Sequence, residues 1–380
     1  MEQLNSSRRP GLRVLLTNLW MRGRGGSESV TRDLAKGLAA RGHSPTVYTP
    51  LIGDTGIELQ ATGVPVIDDL RLMREPPDVI HGQHSIPTVE AIARFPRTPV
   101  VNVCHAWTFG IEAPVSFPQV RFHVGVDEAC VARILHGPGI DPARVHLIPN
   151  GVELSRIPER SCPLPSRPQN AVVFGKATGL FPLLLEVCTA MGIGLQPVGG
   201  PMGPAMADPE RVLAEADLVF ASARSALEAI CAGCAVIVCD PRGMAGLAST
   251  RNHAELRAKN YGLRSLTRPV TAANLRAEIE AYAPRDSEAL SALARPDADF
   301  GRMLERYLEL YRLAIADIGV VPVAEESYLL ALSGFLRDVL PRGSADPATS
   351  RDEIGGNVIG RMLQLADENL ELKQALKAKP

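Results

Sequence analysis

Short apolar runs of β-forming residues alternate with helical patterns along most of this 380-residue chain. The first run, 12–17, is followed by a glycine-rich turn and then by Val30, Leu34 and Leu38 at helical spacing. Such alternation is typical of βαβ units, whose strands form a parallel sheet. A segment rich in Pro, Ser and Arg at 156–169 separates two blocks of this pattern. The chain is therefore predicted to form two α/β domains, since one core stops growing near about 250–300 residues.

The individual elements follow from the same periodicity. In the first block it predicts further strands at 45–49, 64–67, 78–81, 99–105, 120–126 and 145–149, and helices at 85–94 and 128–136. In the second block it predicts strands at 171–175, 195–198, 217–221 and 235–240, and helices at 180–191, 209–216, 225–232 and 271–283. Ser27 is the predicted N-cap of the first helix.

The pattern becomes purely helical from Phe300, with a second helix predicted at 324–340 and a polar linker at 341–350. Near the end of the chain an apolar seam carries one asparagine: Val358, Met362, Leu365, Asn369, Leu372 and Leu376. This seam could pair two chains as a homodimer, or it could belong to a packed or solvated helix. The predicted domains are 1–160, 161–299, 300–340 with the closing helices, and 341–380 with the linker and terminal helix.

Charge and targeting signals limit the partners. The net charge of −2, from 40 basic and 42 acidic residues, offers no excess of positive charge for a nucleic-acid backbone. Aromatic residues make up 4% of the chain, which argues against a sugar-binding module with exposed aromatic platforms. No secretory signal or membrane-spanning run is present. We therefore expect a cytoplasmic protein; Arg8, Arg9, Arg22 and Arg24 hint at contact with the inner membrane face.

Cysteine spacing gives no indication of a metal site. The chain has seven cysteines, and most lie inside strand-like or helix-like runs, as reduced and buried residues do. Cys231 and Cys234 form a single C-x-x-C with no second pair at zinc-site spacing. Asp297 and Asp299 are the only D-x-D, and they read as the N-cap of the helix at Phe300. No metal and no cofactor are expected.

Ligands of open parallel sheets bind beyond the carboxyl ends of the strands, so the residues there are candidates. After the first strand come Gly25 and Gly26, which either let an anion approach the helix N-terminus or form an ordinary tight turn. His105 ends the strand at 99–105, where its ring could hydrogen-bond a hydroxyl. His81 and His84 follow a neighbouring strand and could line the acceptor side of the same cleft.

The second block offers three more candidates. Lys176 follows its first strand and could face a diphosphate, or it could be a surface lysine. Ser225 begins a helix whose N-terminus suits a phosphate. Glu228 could accept hydrogen bonds from two ribose hydroxyls, or it could simply favour the helix dipole.

Several of these segments, in this order, resemble the bacterial family 4 glycosyltransferases of the GT-B fold. The segments that carry the resemblance are Gly25-Gly-Ser-Glu28, the Arg41-Gly-His43 that closes the first helix, Asp78-Val-Ile-His81 with His105, Ile148-Pro-Asn-Gly-Val152, and Glu228-Ala-Ile-Cys-Ala-Gly233. The resemblance covers roughly residues 12–315. It implies two Rossmann-like domains that face each other across a cleft, with a C-terminal helical extension.

The resemblance also implies a reaction. The chain would move a sugar from a nucleoside diphosphate sugar to a hydroxyl acceptor, as in surface glycan or glycoconjugate synthesis, without a metal. His105 would be the catalytic-side histidine near the transferred sugar. Gly25, Gly26, Lys176, Ser225 and Glu228 would bind the donor, with Glu228 on the ribose.

Two departures from the family pattern keep other functions open. The family has a second glutamate eight positions before Glu228, where this chain has Phe220. Its Arg and Lys pair after the first donor-domain strand is reduced to Lys176. A non-catalytic GT-B-like partner or scaffold subunit and a sugar-nucleotide epimerase are therefore the alternatives, and the sequence does not choose between retention and inversion at the anomeric carbon.

Overall fold

The computed structural model describes residues 11–23, 25–107, 109–199, 209–320 and 322–339. Contacts divide the chain into a unit that ends at Pro322 and a second that starts at Val323. The linker and the apolar seam predicted at 341–350 and 358–376 lie outside the described residues, and so do Arg8, Arg9 and Arg24.

The first sheet has seven parallel strands in the order β3-β2-β1-β4-β5-β6-β7. The strands are β1 (Arg13–Thr17), β2 (Ser44–Tyr48), β3 (Val66–Ile67), β4 (Val79–Gln83), β5 (Val100–Cys104), β6 (Val120–Gly125) and β7 (Val145–Leu147). The helices between them are α1 (Gly26–Ala40), α2 (Asp54–Gln60), α3 (Ser85–Arg94) and α4 (Glu128–Leu135). Short 3-10 helices lie at Leu70–Leu72, Gly110–Glu112 and Pro142–Arg144.

The second sheet has five strands in the order β12-β11-β10-β8-β9, and only β12 is antiparallel to its neighbour. The strands are β8 (Asn170–Phe174), β9 (Gly194–Val198), β10 (Leu218–Ala221), β11 (Ala235–Asp240) and β12 (Gly243–Leu247). The helices are α5 (Phe181–Ala190), α6 (Pro209–Glu215), α7 (Arg224–Cys231), α8 (His253–Ala258), α9 (Ala272–Glu280) and α10 (Pro284–Ala298). Short 3-10 helices lie at Gly175–Leu180 and Leu263–Ser265.

The predicted α/β architecture of two Rossmann-like domains is therefore confirmed. The central strands are buried throughout; every residue of β4, β5, β10 and β11 is buried, as expected for parallel strands covered by helices on both faces. The N-cap predicted for the first helix is wrong. Its cap is Gly25 rather than Ser27, whose hydroxyl donates to the Glu28 carboxylate instead, at 3.2 Å.

After the second domain the chain returns to the first. Helix α11 (Phe300–Val320) packs Phe300, Leu304 and Leu308 into the core of the first sheet. Backbone hydrogen bonds mark the crossing, from Val152 N to the Ala298 carbonyl at 2.7 Å and from Phe300 N to the Val152 carbonyl at 3.0 Å. The two sheets are thus joined by two chain crossings, one before β8 and one at the start of α11.

Predictions near the end of the second domain are mixed. The N-cap reading of Asp299 is confirmed, because its carboxylate accepts the backbone N–H of Arg302 at 2.8 Å. Strand β12 was not predicted, since its glycines, Gly243 and Gly246, conceal the β pattern. Of the seven cysteines six are buried and Cys162 is exposed.

Helix α12 (Glu325–Val339) belongs to the unit that starts at Val323 and confirms the helix predicted at 324–340. Its side chains Leu329, Leu330 and Leu336 are exposed. Within the described part of the chain, no helix combines the length and the apolar character that crossing a membrane requires.

Candidate active site at the junction of the two sheets

The carboxyl ends of β1, β4, β5 and β6 lie along one edge of the first sheet because these strands are parallel. This edge brings together the glycine turn before α1, His84 after β4 and His105 after β5. A cavity of about 320 Å³ lined by Arg13, Ser44 and Glu75 lies at the opposite, amino edge, where β1 and β2 begin. That cavity is not part of the candidate site.

The glycine turn is filled by a carboxylate of its own helix. A Cβ at Gly25 would meet the Glu28 carboxylate, so a larger residue there would require that side chain to move. Glu28 is 6% exposed, and burial raises the pKa of its carboxyl group. A phosphate at this turn would meet that group, although the space beside Gly26 is open. Diphosphate binding by Gly25 and Gly26 stays a prediction.

His81 lies beneath the edge rather than on it. The ring has no exposed surface, and burial lowers its pKa to about 3. Both nitrogens are bonded, Nδ1 to the Tyr311 hydroxyl at 2.7 Å and Nε2 to the Gln83 amide at 3.0 Å. His81 therefore fastens α11 to the first sheet and presents no atom to an acceptor in this structure.

His84 lies at the edge in a constrained position. Its backbone has φ of 61°, a conformation that is uncommon outside glycine. Nδ1 accepts the backbone N–H of Leu19 at 3.0 Å, and Nε2 lies 3.3 Å from the Glu112 carboxylate. Because Nδ1 is an acceptor, Nε2 carries the proton and donates to Glu112. His84 is 3% exposed, so it supports Leu19 and Glu112 through hydrogen bonds and presents little surface to a ligand.

His105 is the histidine of this edge with a free ring atom. Its Nε2 is buried and has no hydrogen-bond partner, while its backbone N–H donates to Glu112 at 2.9 Å. Burial lowers the pKa of His105 to about 4; Glu112 opposes this shift, and His84 and Arg224 add to it. The ring is therefore neutral at pH 7, and it can exchange one hydrogen bond with a hydroxyl at Nε2.

Glu112 was missed by the sequence reasoning. It lies in the 3-10 helix Gly110–Glu112, is 6% exposed, and binds both His84 and the His105 backbone. Burial acts to raise its pKa, but the hydrogen bonds from the His84 side chain and from the His105 backbone N–H hold it below its usual value. No residue spacing predicts this contact, since only the fold brings the loop back onto the end of β5.

The second sheet presents its own carboxyl edge, formed by β8, β10 and β11. Gly175 follows β8 with φ of 63°, and a Cβ there would lie 2.6 Å from the Ser225 hydroxyl. A Cβ at Gly179 would lie 2.7 Å from the Pro241 ring. These close approaches pack the turn that carries Lys176 against the start of α7 and the end of β11.

Lys176 points outward from this turn. Its surface is exposed, yet nearby protein atoms partly desolvate the ammonium group, which lowers its pKa; Arg242 adds to the effect and Asp240 opposes it. Arg242 is held on Asp240 by Nη2 at 2.6 Å and Nε at 3.0 Å. Asp240 is fully buried and also accepts the Ser222 hydroxyl at 2.7 Å. Arg242 is a second cation at this edge that the sequence analysis did not select.

Glu228 lies where the two halves meet, one helical turn after Ser225. Arg224 donates from Nε to Glu228 Oε1 at 2.9 Å and from Nη2 to Asp33 Oδ2 on α1. Burial raises the pKa of Glu228, while Arg224 opposes this. The side chains of Asp33, Arg224 and Glu228 are 8, 14 and 20% exposed. We call this interdomain cluster the arginine bridge.

Phe220, eight positions before Glu228, lies inside β10 with no exposed surface and packs in the core of the second sheet. The chain passes from β10 to α7 through only two residues, Ser222 and Ala223. No carboxylate could reach the junction from position 220. The described residues contain no group of three or more His, Cys, Asp or Glu side chains placed to hold a metal ion.

The site residues therefore fall into two groups on facing edges. His84 and His105 stand on the first sheet; Lys176 and Ser225 stand on the second, and Glu228 lies at the junction. His105 and Arg224 are close enough for the Arg224 charge to lower the pKa of His105. The ligand-binding roles of these residues stay predictions.

Comparison with known proteins agrees with this architecture. Residues 24–156 match the family model described as Glycosyltransferase Family 4. No curated protein matches the chain by sequence. A glycosyltransferase from Rickettsia africae is 13% identical with a TM-score of 0.57, over 81% of this chain and 99% of that one. The catalytic domain of starch synthase IV from Arabidopsis thaliana, bound to ADP and acarbose, is 12% identical with a TM-score of 0.50, over 80% and 100% of the two chains. The chain therefore has the GT-B fold, and its similarity to Glycosyltransferase Family 4 covers residues 24–156.

Proposed function

We propose that this chain transfers a sugar from a nucleoside diphosphate sugar to the hydroxyl group of an acceptor, in the synthesis of a surface glycan or glycoconjugate. The observation that carries the proposal is the pair of cations, Lys176 and Arg242, beside the Ser225 end of α7. On the carboxyl edge of the other sheet, His105 Nε2 has no hydrogen-bond partner among the described residues. This arrangement suits an anion on one side and a neutral hydroxyl on the other.

The cations would act on the leaving group. As the bond between the sugar and the diphosphate breaks, negative charge grows on the diphosphate. Lys176 and Arg242 stabilise that charge best if they are fixed before the reaction. The bidentate bond to Asp240 fixes Arg242, and the packed turn fixes the backbone of Lys176. Neither residue requires a metal ion to do this.

Glu228 would bind the ribose, but it shares its carboxylate with Arg224. The Arg224 bond uses Oε1, so the donor either binds the other oxygen or displaces the guanidinium. His105 would orient a hydroxyl of the sugar or the acceptor. With a pKa of about 4 it is a weak base at neutral pH, so orientation is its main contribution.

Nucleotide binding is the first test. UDP, GDP and dTDP should each be added to the protein, since a ligand that binds only the folded state raises the melting temperature. The nucleotide that binds then defines the donor sugars for an assay of nucleoside diphosphate release. Lys176→Ala should weaken nucleotide binding by about ten-fold, equivalent to one lost charge-assisted hydrogen bond.

Lys36→Ala is the matched control, because Lys36 is exposed on α1 and has no part in the site. If no nucleotide shifts the melting temperature, or if both lysine variants bind nucleotide equally well, the proposed donor site is wrong. An epimerase would change the donor sugar without any acceptor, so analysis of the sugar product separates it from a transferase.

A non-catalytic GT-B-like subunit is the second candidate, and the arginine bridge favours it. Arg224 already neutralises Glu228, and position 220 has a buried phenylalanine in place of the second carboxylate. This function predicts that no nucleotide binds at millimolar concentration. It also predicts a stable dimer of the full chain by light scattering, which is lost when residues 350–380 are removed.

A further inference from the structure

Two aromatic side chains are exposed beside His105. Trp107 is 45% exposed and Phe109 is 61% exposed, and no other aromatic residue is among the exposed large apolar side chains of the described residues. They follow His105 by two and four positions, on the loop between β5 and β6. Exposed apolar groups that cluster next to a polar site typically mark a surface that binds a ligand.

The backbone of this loop is firmly held. Arg133 Nη1 donates to the Ala106 carbonyl at 2.7 Å, and Glu112 accepts the His105 N–H at 2.9 Å. Farther along, the N–H of Val115 donates to the Asn102 side chain at 3.3 Å. The described residues at 105, 106 and 115 of this loop are therefore held by hydrogen bonds of their backbone groups.

Trp107 also meets the second half of the molecule. The guanidinium of Arg264, in the 3-10 helix Leu263–Ser265, lies 6.0 Å from the centre of the indole ring. The charge of Arg264 also acts on Asp127, at the carboxyl end of β6, where burial raises the pKa of the carboxyl group. An Asp127 oxygen would lie 3.9 Å from a Cβ at Gly262. Trp107, Arg264 and Asp127 therefore lie close together where the two halves of the molecule meet.

We infer that Trp107 and Phe109 form the acceptor subsite and that the acceptor is a carbohydrate whose ring stacks on the face of Trp107 that Arg264 does not cover. A sugar ring has an apolar C–H face, which suits an indole, and hydroxyls at its rim, which suit Arg264, Asp127 and His105 Nε2. This inference rests on the proposed function, which requires a hydroxyl acceptor near His105. The low aromatic content of the whole chain does not oppose it, because the few exposed rings lie together at this one place.

The test uses tryptophan fluorescence of the full chain, which has two tryptophans. Methyl glycosides of glucose, galactose, mannose and N-acetylglucosamine, and disaccharides of each, are titrated both without nucleotide and in the presence of the nucleotide that binds. We expect at least one saccharide to change the emission of the wild type. Trp107→Phe should lose that change but retain transfer within about three-fold, because it keeps an aromatic face. Trp107→Ala should lower kcat/KM for the saccharide by about ten-fold or more.

Donor binding separates this inference from the proposed function. The nucleotide Kd of Trp107→Ala should stay within about two-fold of the wild type, since Trp107 is not at the donor edge. Leu293→Ala, an exposed residue of α10, is the control for loss of surface apolar area. If no nucleotide binds the wild type, the proposed function fails, whereas a saccharide signal from Trp107 would still support a carbohydrate subsite.

Three results would overturn the inference. The first is that no saccharide of the panel changes the emission while nucleotide binds. The second is equal use of the saccharide by Trp107→Ala and the wild type. The third is that vesicles of phosphatidylglycerol and phosphatidylethanolamine, rather than saccharides, shift the Trp107 emission, which would assign the two rings to a membrane surface.

Discussion

Replacing Asp33 by asparagine removes one arm of the arginine bridge while keeping the size of the side chain. Asp33 accepts Arg224 from the second half and Arg32 from its own helix, at 2.8 Å. All of these groups are largely buried, so the charge-assisted bond to Arg224 is not strongly screened by solvent. Such bonds contribute about 1.5–3 kcal/mol, and an asparagine oxygen retains part of the interaction. We therefore expect Asp33→Asn to lower the free energy of unfolding by about 2 kcal/mol at pH 7.

The difference in free energy of unfolding between wild type and Asp33→Asn should depend on pH, in a direction that follows from the pKa of Asp33. Burial acts to raise the pKa of Asp33, but Arg224 and Arg32 hold it below the usual value. A carboxyl group with a lowered pKa stabilises the folded state above its unfolded pKa of about 3.9, and this contribution is lost as the pH falls through the lower, folded value. The stabilities of wild type and Asp33→Asn should therefore converge below pH 4, because protonated Asp33 resembles asparagine.

Urea unfolding at pH 7, 5, 4 and 3.5 measures this convergence. Asp68→Asn is the control, since Asp68 is exposed; its stability should follow the wild type at every pH. The same Asp33 change is then made in an Arg224→Met background, where its cost should fall to what the bond to Arg32 contributes. An unchanged cost in that background would mean that Asp33 acts through Arg32 alone, and the reasoning about an interdomain bridge would be refuted.

Three further outcomes follow from the described contacts. Gly175→Ala should destabilise the fold by about 2 kcal/mol, because a Cβ adds a clash with the neighbouring serine hydroxyl to the strain of φ 63°. Gly192→Ala, with φ of 72° but open space, should cost less in the same urea assay. Tyr311→Phe should cost about 1 kcal/mol, since it removes the hydroxyl bonded to buried His81; equal stability in thermal unfolding would contradict this. The ring of His105 should stay neutral down to about pH 4 in an NMR titration, and protonation near pH 6.5 would contradict this prediction.

The regular elements could be predicted because their signals are local. Strand β11 is an unbroken apolar run bounded by Gly233 and Pro241, and its predicted range, 235–240, matches the observed one. Helix α7 begins at Arg224, one residue before its predicted start. Strand β12 could not be found this way, because it is stabilised by pairing with β11 rather than by its own glycine-rich sequence.

Of the candidate site, only the residues that directly follow a strand could be predicted from the sequence. Strand-end positions led to His105 and Lys176, since every parallel strand delivers its next residues to the same edge. The partners of those residues depend on tertiary contacts. Glu112 reaches His105 from a loop, and Asp33 reaches Arg224 across 191 positions of sequence. A sequence pattern does not show such remote contacts, whereas the ion pair between Arg224 and Glu228 has the local i,i+4 spacing and could have been predicted.

The return of α11 makes the first half of the molecule discontinuous in sequence. During synthesis the first sheet emerges from the ribosome long before α11, whose Tyr307 and Tyr311 pack against His81 of that sheet. A nascent chain that stops before residue 300 leaves this surface bare and a buried histidine without its tyrosine partner. The second domain is therefore completed before the first, so a premature stop just before α11 should harm the first half more than the second.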